Sequence, residues 1–316
     1  MKKILLIITF VIVLSGITGC RQNKNAATRN ADGKINITVT IFPPYDFVRQ
    51  IAGDRVNLSM LLPPGAESHS FEPSPRDIIT IQNSDIFIYG GGDSDAWIDR
   101  ILQSMNTDNM RILAMMDAVE VVEEEIVEGM EEEQENEEEG IAYDEHVWTS
   151  PRNAILIVRA IAELLCETDT ANAELYQQNA AAYIEELERL DTAFENAAAG
   201  ALRDTFIFAD RFPFRYFADA YGLSYFAAFP GCSTETEPSA ATVAFLINKI
   251  RAEKIPVVFH IELSNERMAN TISGETGAKK LLLHSCHNIT KREFDSGLGY
   301  LEIMRRNVEN LREALY

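Results

Sequence analysis

A rhythm of strand and helix signals runs through both halves of this chain and breaks once, at a single long helical stretch. In the first half NITVTI, RVNLSMLL, DIFIYGGG and MRILAM read as strands. Between them lie helical runs: PYDFVRQIAG ending at Gly53, PSPRDIITIQNS, and DSDAWIDRILQSM. In the second half TFIFA, LSYFAAF, IPVVFHIEL and KKLLLHS are strands, and PFRYFADAYG, SAATVAFLINKIRAEK, NERMANTISGETG and YLEIMRRNVENLREAL are helices. Strands alternating with helices build parallel sheets. From Ala171 to Ala199 the rhythm gives way to one helical period, marked by Leu175, Tyr176, Ala180, Tyr183, Ile184, Leu187, Leu190 and Phe194. At roughly 1.5 Å per residue such a helix is about 40 Å long, enough for a stiff strut between two lobes. The expected fold is α/β, two Rossmann-like lobes with small parallel sheets joined by one long rigid helix. The expected boundaries are an N-terminal lobe over 34–170, the linker helix over 171–200, and a C-terminal lobe over 201–316.

The start of the chain stands apart. Lys2 and Lys3 precede an apolar run from Ile4 to Leu14 that is too short for a comfortable membrane span. This pattern predicts an export signal over residues 1–20. Its end, Ile17-Thr18-Gly19-Cys20, resembles a bacterial lipobox, which implies cleavage before Cys20 and diacylglyceryl attachment to its sulfur. Two or more acyl chains give stable anchoring where one does not. Residues 21–33 are small and polar and read as a disordered tether. The expected location is extracytoplasmic, held to the membrane through lipidated Cys20.

The formal net charge of −21 argues against a nucleic-acid partner. More than half of it comes from twelve glutamates between Glu120 and Glu139, a stretch without Lys or Arg. Like charges at this density repel, so residues 120–140 are expected to form a solvated acidic loop. Export also permits a disulfide. Cys232 and Cys286, each following a strand-like run, are the candidate pair, while Cys166 reads as a small buried hydrophobe.

The chain has five histidines, and each sits at or just beyond a strand-like run or in a Pro-punctuated loop. In open α/β sheets, ligands bind outside the carboxyl ends of the strands, and imidazole is the commonest metal ligand. His69 lies in the rigid loop LLPPGAESHSFEPSPRD. His146 lies in YDEHVWTSPRN, with Asp144 and Glu145 near enough to orient its ring. His260 and Glu262 share one face of VVFHIEL, where Glu262 is equally readable as a structural carboxylate. His284, Cys286 and His287 fall together in LLLHSCHN. The pattern points to a metal held between two lobes.

These segments together resemble the solute-binding lipoproteins of zinc and manganese ABC importers, the cluster with a rigid helical linker. IFPPYDFVRQIAGDRV is similar to that family's opening strand and helix, LLPPGAESHSFEPSPRDIITIQNSDIFIYGGG to its most diagnostic stretch, and DEHVWTSPRNA to its Asp-x-His-x-Trp segment. The resemblance covers Ile35 to Tyr316 and implies that His69 and His146 are the first two ligands. It departs in the second lobe. Family members carry a His or Glu at the end of that lobe's first strand, where TFIFADRF offers Ala209 and Asp210. The family's last ligand position is taken by His284. The expected metal set is therefore His69, His146, His260 and His284, with Asp210 or Glu262 as a reserve oxygen ligand. His287, beyond the strand end and beside the candidate disulfide, is ranked below these.

Nitrogen-rich ligation favours Zn(II), with Mn(II) the alternative cargo. The expected function is capture of the ion outside the membrane and delivery to the ABC permease of a metal importer, by a monomer. An adhesin on the same fold is the second reading. A metal-dependent hydrolase is the third and the weakest, since no His-Glu-x-x-His or comparable spacing is present; the chain is expected not to be an enzyme.

Overall fold

A computed structural model describes residues 33–67, 71–130, 142–233 and 238–316. The first lobe runs β1 (Ile35–Val39), α1 (Phe42–Ala52), β2 (Val56–Met60), α2 (Pro75–Gln82), β3 (Ile86–Tyr89), α3 (Ala96–Ser104) and β4 (Arg111–Ala114). Its sheet is wholly parallel, in the order β2-β1-β3-β4. Helix α4 (Pro151–Thr168) and α5 (Ala173–Ala199) follow. The second lobe runs β5 (Thr205–Phe208), β6 (Arg211–Phe212), α6 (Arg215–Tyr221), β7 (Ser224–Phe226), β8 (Phe229–Pro230), α7 (Ala240–Glu253), β9 (Val257–His260), α8 (Arg267–Thr276), β10 (Lys279–Leu282), α9 (Lys291–Asp295) and α10 (Tyr300–Leu315). Its main sheet is again parallel, in the order β10-β9-β5-β7. In each sheet the chain reverses direction of growth beside the first strand of the lobe, which is where open α/β sheets leave a crevice for ligands.

Local sequence explains the helix starts. Ser74 and Asp77 form a reciprocal capping box ahead of α2, with Pro75 at its first position. Thr290 and Glu293 do the same for α9. Gly222 takes the left-handed conformation that ends α6. Central strands β3, β5 and β9 are apolar on both faces because helices cover both sides of each sheet, whereas β1 carries Asn36 and Thr38 on one face.

The long helix α5 is 27 residues, close to the predicted length, but it is not a bare strut. Its apolar stripe Tyr176, Ala180, Tyr183, Leu187, Leu190 and Phe194 is buried, and the helix packs along α1, α4 and α10. One core cluster therefore runs from Ile35 through the linker to Leu315. Buried polar bonds tie the same elements together. The Tyr300 amide donates to Asp46 Oδ2 (2.7 Å), Tyr300 Oη to the Trp148 carbonyl (2.7 Å), and Trp148 Nε1 to the Ser285 carbonyl (2.8 Å). Arg49 pairs with the otherwise buried Asp46 carboxylate. Among the described residues no helix is long and apolar enough to cross a membrane.

The acidic run departs from expectation in its first part. Residues 120–130 lie against the second lobe: Glu124 Oε1 accepts from the Cys232 amide (2.9 Å), Glu125 accepts from Tyr225 Oη (3.0 Å) and pairs with Arg215, and Met130 is buried. The sequence showed no local positive charge, but the partners come from about a hundred residues away. The rest of the run, residues 131–141, lies outside the described residues, as do Cys20 and the whole of the predicted signal and tether up to residue 32.

Candidate metal centre

The strand ends of the two lobes meet at a cleft of about 370 Å³ lined by Glu67, His146, Arg211, Glu262, His287 and Asn288, among others. His146 is almost completely buried. It precedes a short turn, Val147–Thr149, that leads into α4. Asp144 Oδ1 accepts from the His146 amide (2.8 Å) and lies 3.2 Å from Nδ1 of its ring. With Asp144 accepting from Nδ1–H, the lone pair is left on Nε2, the form a metal requires. Burial works against the imidazolium, but the Asp144, Glu145 and Glu124 carboxylates together outweigh it and lift the His146 pKa above its ordinary value. Gly231 closes this side of the cleft: a Cβ there would meet the Phe212 carbonyl at 2.8 Å and His146 Cε1 at 3.3 Å. Any side chain at 231 would press on the imidazole.

The second imidazole in the cleft is His287. Its ring centroid lies 5.3 Å from that of His146, edge-on, and 4.9 Å from that of Trp148. It also walls a neighbouring crevice lined by Thr40, Asp95, Trp97 and Glu145. The sequence ranking set His287 aside for lying beyond the strand end. The backbone explains why it belongs: Cys286 adopts φ +64, a left-handed turn, after which the chain returns to the cleft. Glu262 holds that turn. Its carboxylate accepts from the Ser285 amide (2.7 Å), Ser285 Oγ (2.5 Å) and the His287 amide (3.0 Å). Glu262 thus braces the turn that carries His287, as its structural reading expects, while also lining the cleft.

Three other expected ligands are not among the residues that line the cleft. His284 does not line the cleft; its Nδ1 accepts from the Cys286 amide (3.0 Å), and its backbone is bracketed by the Asn307 carboxamide. Its imidazole stabilises the turn that presents His287. His260 also does not line the cleft, and its Nδ1 lies 3.0 Å from the carbonyl of Ile261. Asp210 accepts from the Arg211 amide (3.0 Å) and bonds Ser264, within the same lobe. The side chain that this strand end sends into the cleft is that of Arg211, a cation. A strand end fixes which loop reaches the crevice but not which of two successive residues faces it; a one-residue change of phase reverses the side-chain direction. His69 lies outside the described residues. Among the described residues no group of three or more His, Cys, Asp and Glu side chains is placed to hold a metal.

The expected disulfide is absent: Cys232 and Cys286 are both free thiols. Cys286 is fully buried, near Asp46, Glu262 and Tyr300, whereas Cys232 faces Glu124, Asp144 and Glu145. Burial pushes both thiols well above their ordinary pKa. Cys166 is free and half-buried.

Two parallel α/β lobes, an embedded linking helix and an imidazole-lined cleft at the strand ends define a two-lobed solute-binding fold. The chain belongs to the family described as "ZnuA: Zinc-uptake complex component A periplasmic", whose model matches residues 37–314, so the resemblance read from the sequence holds. It is similar to the zinc-binding lipoprotein AdcA of Streptococcus pneumoniae, 32% identical over 320 residues, covering 99% of this chain and 61% of that protein. The chain therefore spans less than two thirds of that relative's length. It is 31% identical to the high-affinity zinc uptake system protein ZnuA of Bacillus subtilis over 316 residues, covering 98% of this chain and 97% of the relative. The crystal structure of the Zn(II)-bound ZnuA-like domain of Streptococcus pneumoniae AdcA superposes with a TM-score of 0.74 at 30% identity, covering 90% of this chain and 99% of that domain.

Proposed function

We propose that this protein captures Zn(II) outside the membrane and hands it to the permease of an ABC importer, with no catalytic step. The observation that carries the reading is the pair of imidazoles, His146 and His287, 5.3 Å apart in the cleft between two lobes. Asp144 faces the ring nitrogen of His146, and Glu262 holds the backbone amide of His287. His69, from the loop that follows β2, is the proposed third ligand, because its segment matches the family's most diagnostic stretch. Three imidazoles and an exchangeable fourth position suit tetrahedral zinc, whereas manganese prefers more oxygen ligands. The names of the relatives, zinc-binding lipoprotein and zinc uptake protein, support the same cargo. Lipid attachment at Cys20 is proposed to hold the protein at the membrane surface.

The test uses the soluble protein from Arg21 onward. It is equilibrated with equal concentrations of Zn(II), Mn(II) and Ni(II), desalted, and its bound metal quantified. One zinc per chain is expected, lost in His146→Ala and in His287→Ala. Retention of manganese alone, or full zinc binding by both variants, refutes the proposal.

A further inference from the structure

The loop that leaves β2, residues Pro63–Glu67, is gripped by side chains of the opposite lobe. Arg211 Nη2 donates to Glu67 Oε2 (3.2 Å), while Nη1 donates to the Ser233 carbonyl (3.2 Å) and so fixes the guanidinium on its own lobe. Asn288 Nδ2 donates to the carbonyls of both Pro63 and Ala66 (2.9 Å each). The Arg211 side chain is only 12% exposed. Both residues occupy positions close to the cleft imidazoles: Asn288 is next to His287, and Arg211, the first residue of β6, lines the cleft.

The remainder of the interface leaves little room for rigid-body opening. The core cluster is continuous across both lobes, and Asp46, Trp148 and Tyr300 lock α1, the His146 turn, α10 and the turn after β10. Hinge closure about a large apolar interface is costly. The loop is different. Pro63, Gly65 and Glu67 of the loop are exposed, and its ties to the second lobe include the Arg211–Glu67 ion pair and the two bonds from the buried Asn288 side chain. An exposed segment tied by such polar contacts opens at a lower free-energy cost than the packed core.

We infer that Arg211 and Asn288 are positioning residues: they form a latch on Pro63–Glu67 that keeps the cleft covered and sets how long the cargo stays bound. The inference rests on the proposed zinc capture and concerns release rather than ligation.

The experiment measures the rate at which zinc-loaded protein surrenders its ion to an excess of fluorescent chelator, for the native chain, Arg211→Ala, Arg211→Lys, Asn288→Ala, Glu67→Gln and Arg211→Ala/Glu67→Gln. Arg211→Ala and Asn288→Ala are each expected to release zinc about tenfold faster, the effect of roughly 1.4 kcal/mol. Melting temperatures of the metal-free Arg211 and Glu67 variants should change little, whereas Asn288→Ala, which removes a buried carboxamide, should also lower the melting temperature. Arg211→Lys should recover part of the native rate. The double variant should release no faster than Arg211→Ala, since both changes break one pair. Raised salt should speed release from the native protein and not from Glu67→Gln. Native-like release from both Arg211→Ala and Glu67→Gln overturns the latch while leaving zinc capture intact. Slower release from Arg211→Ala also overturns it, since the guanidinium would then act by repelling the ion. Glu67 is half exposed, so its variant reports even if Arg211→Ala folds poorly. A native chain that retains no zinc refutes both this inference and the function beneath it.

Discussion

Replacing Asp144 with Asn should weaken zinc binding without touching any proposed ligand. The carboxylate is 1% exposed and makes two bonds to His146, accepting from the amide at 2.8 Å and facing Nδ1 at 3.2 Å. Both contacts go to Oδ1, so an Asn of the same shape keeps both when its oxygen takes that place and loses both when its carboxamide is flipped. It loses the charge that makes the imidazole a stronger donor to a metal, and its amide group can face Nδ1 as a donor, which favours the wrong tautomer. Groups that orient metal-bound histidines in this way typically contribute 10- to 100-fold to affinity, or about 1.4–2.8 kcal/mol. The control is Glu145→Gln. Glu145 is equally close in sequence but is engaged by the Ser94 amide (2.6 Å) on the far side of the turn. Chelator competition at pH 8, where free imidazole is neutral, should give a 10- to 100-fold weaker zinc complex for Asp144→Asn and less than about a threefold change for Glu145→Gln. Native affinity in Asp144→Asn, with circular dichroism showing an intact fold, would refute the claim that His146 is presented to the metal by its carboxylate neighbour.

Other consequences concern stability. Burial raises the Asp95 carboxyl from its ordinary value to about 7. The folded chain therefore keeps a proton that the unfolded chain releases near pH 4, and stability falls as pH rises from about 4 to 7. Asp95→Asn should gain on the native protein across that interval and hold a constant advantage above it. The shift corresponds to roughly 4 kcal/mol at most, and solvent reaching this half-buried group should reduce it to on the order of 1–2 kcal/mol; parallel melting curves of the two proteins from pH 4 to 8 would exclude it. Tyr300→Phe deletes the buried bond to the Trp148 carbonyl (2.7 Å) and should cost about 1–3 kcal/mol by urea unfolding, whereas an unchanged midpoint would mean that the interlobe bond contributes nothing. Because Cys232 and Cys286 are free thiols, adding a reductant should leave the melting temperature unaltered, and a drop of several degrees would restore the disulfide.

Much of the architecture was legible in the sequence, because each strand and helix carries its own period and caps. The predicted boundary of the linker helix at 171–200 differs from the observed Ala173–Ala199 by a residue or two at each end. His146 was legible for a similar reason: the Asp, the Trp and the Ser-Pro helix start around it lie within a few residues. What failed required long-range information. Whether Asp210 or Arg211 faces the cleft depends on how the chain passes from β5 into β6, which pairs with β8. The return of His287 depends on a left-handed residue at Cys286, which is not Gly or Asn and so carries no sequence signature. One signal was available: Glu262, an acidic residue ending a buried strand, needed donors, and a Ser-Cys-His turn after the adjacent strand supplied them. Reading that pairing would have placed His287 rather than His284 at the cleft. The docking of Glu124 and Glu125 rests on partners in α6 and β7 and the turn at Cys232, which no local charge count reveals.

His146 and His287, not His260 or His284, are the residues proposed to meet the metal. Anomalous diffraction at the zinc edge, on crystals grown with one equivalent of Zn(II), tests this most directly. The account predicts a single strong peak in the cleft, about 2.0–2.1 Å from a ring nitrogen of His146 and from one of His287, with His284 Nδ1 still accepting from the Cys286 amide. A peak coordinated by His260 or His284, with His287 turned away from it, would contradict the account.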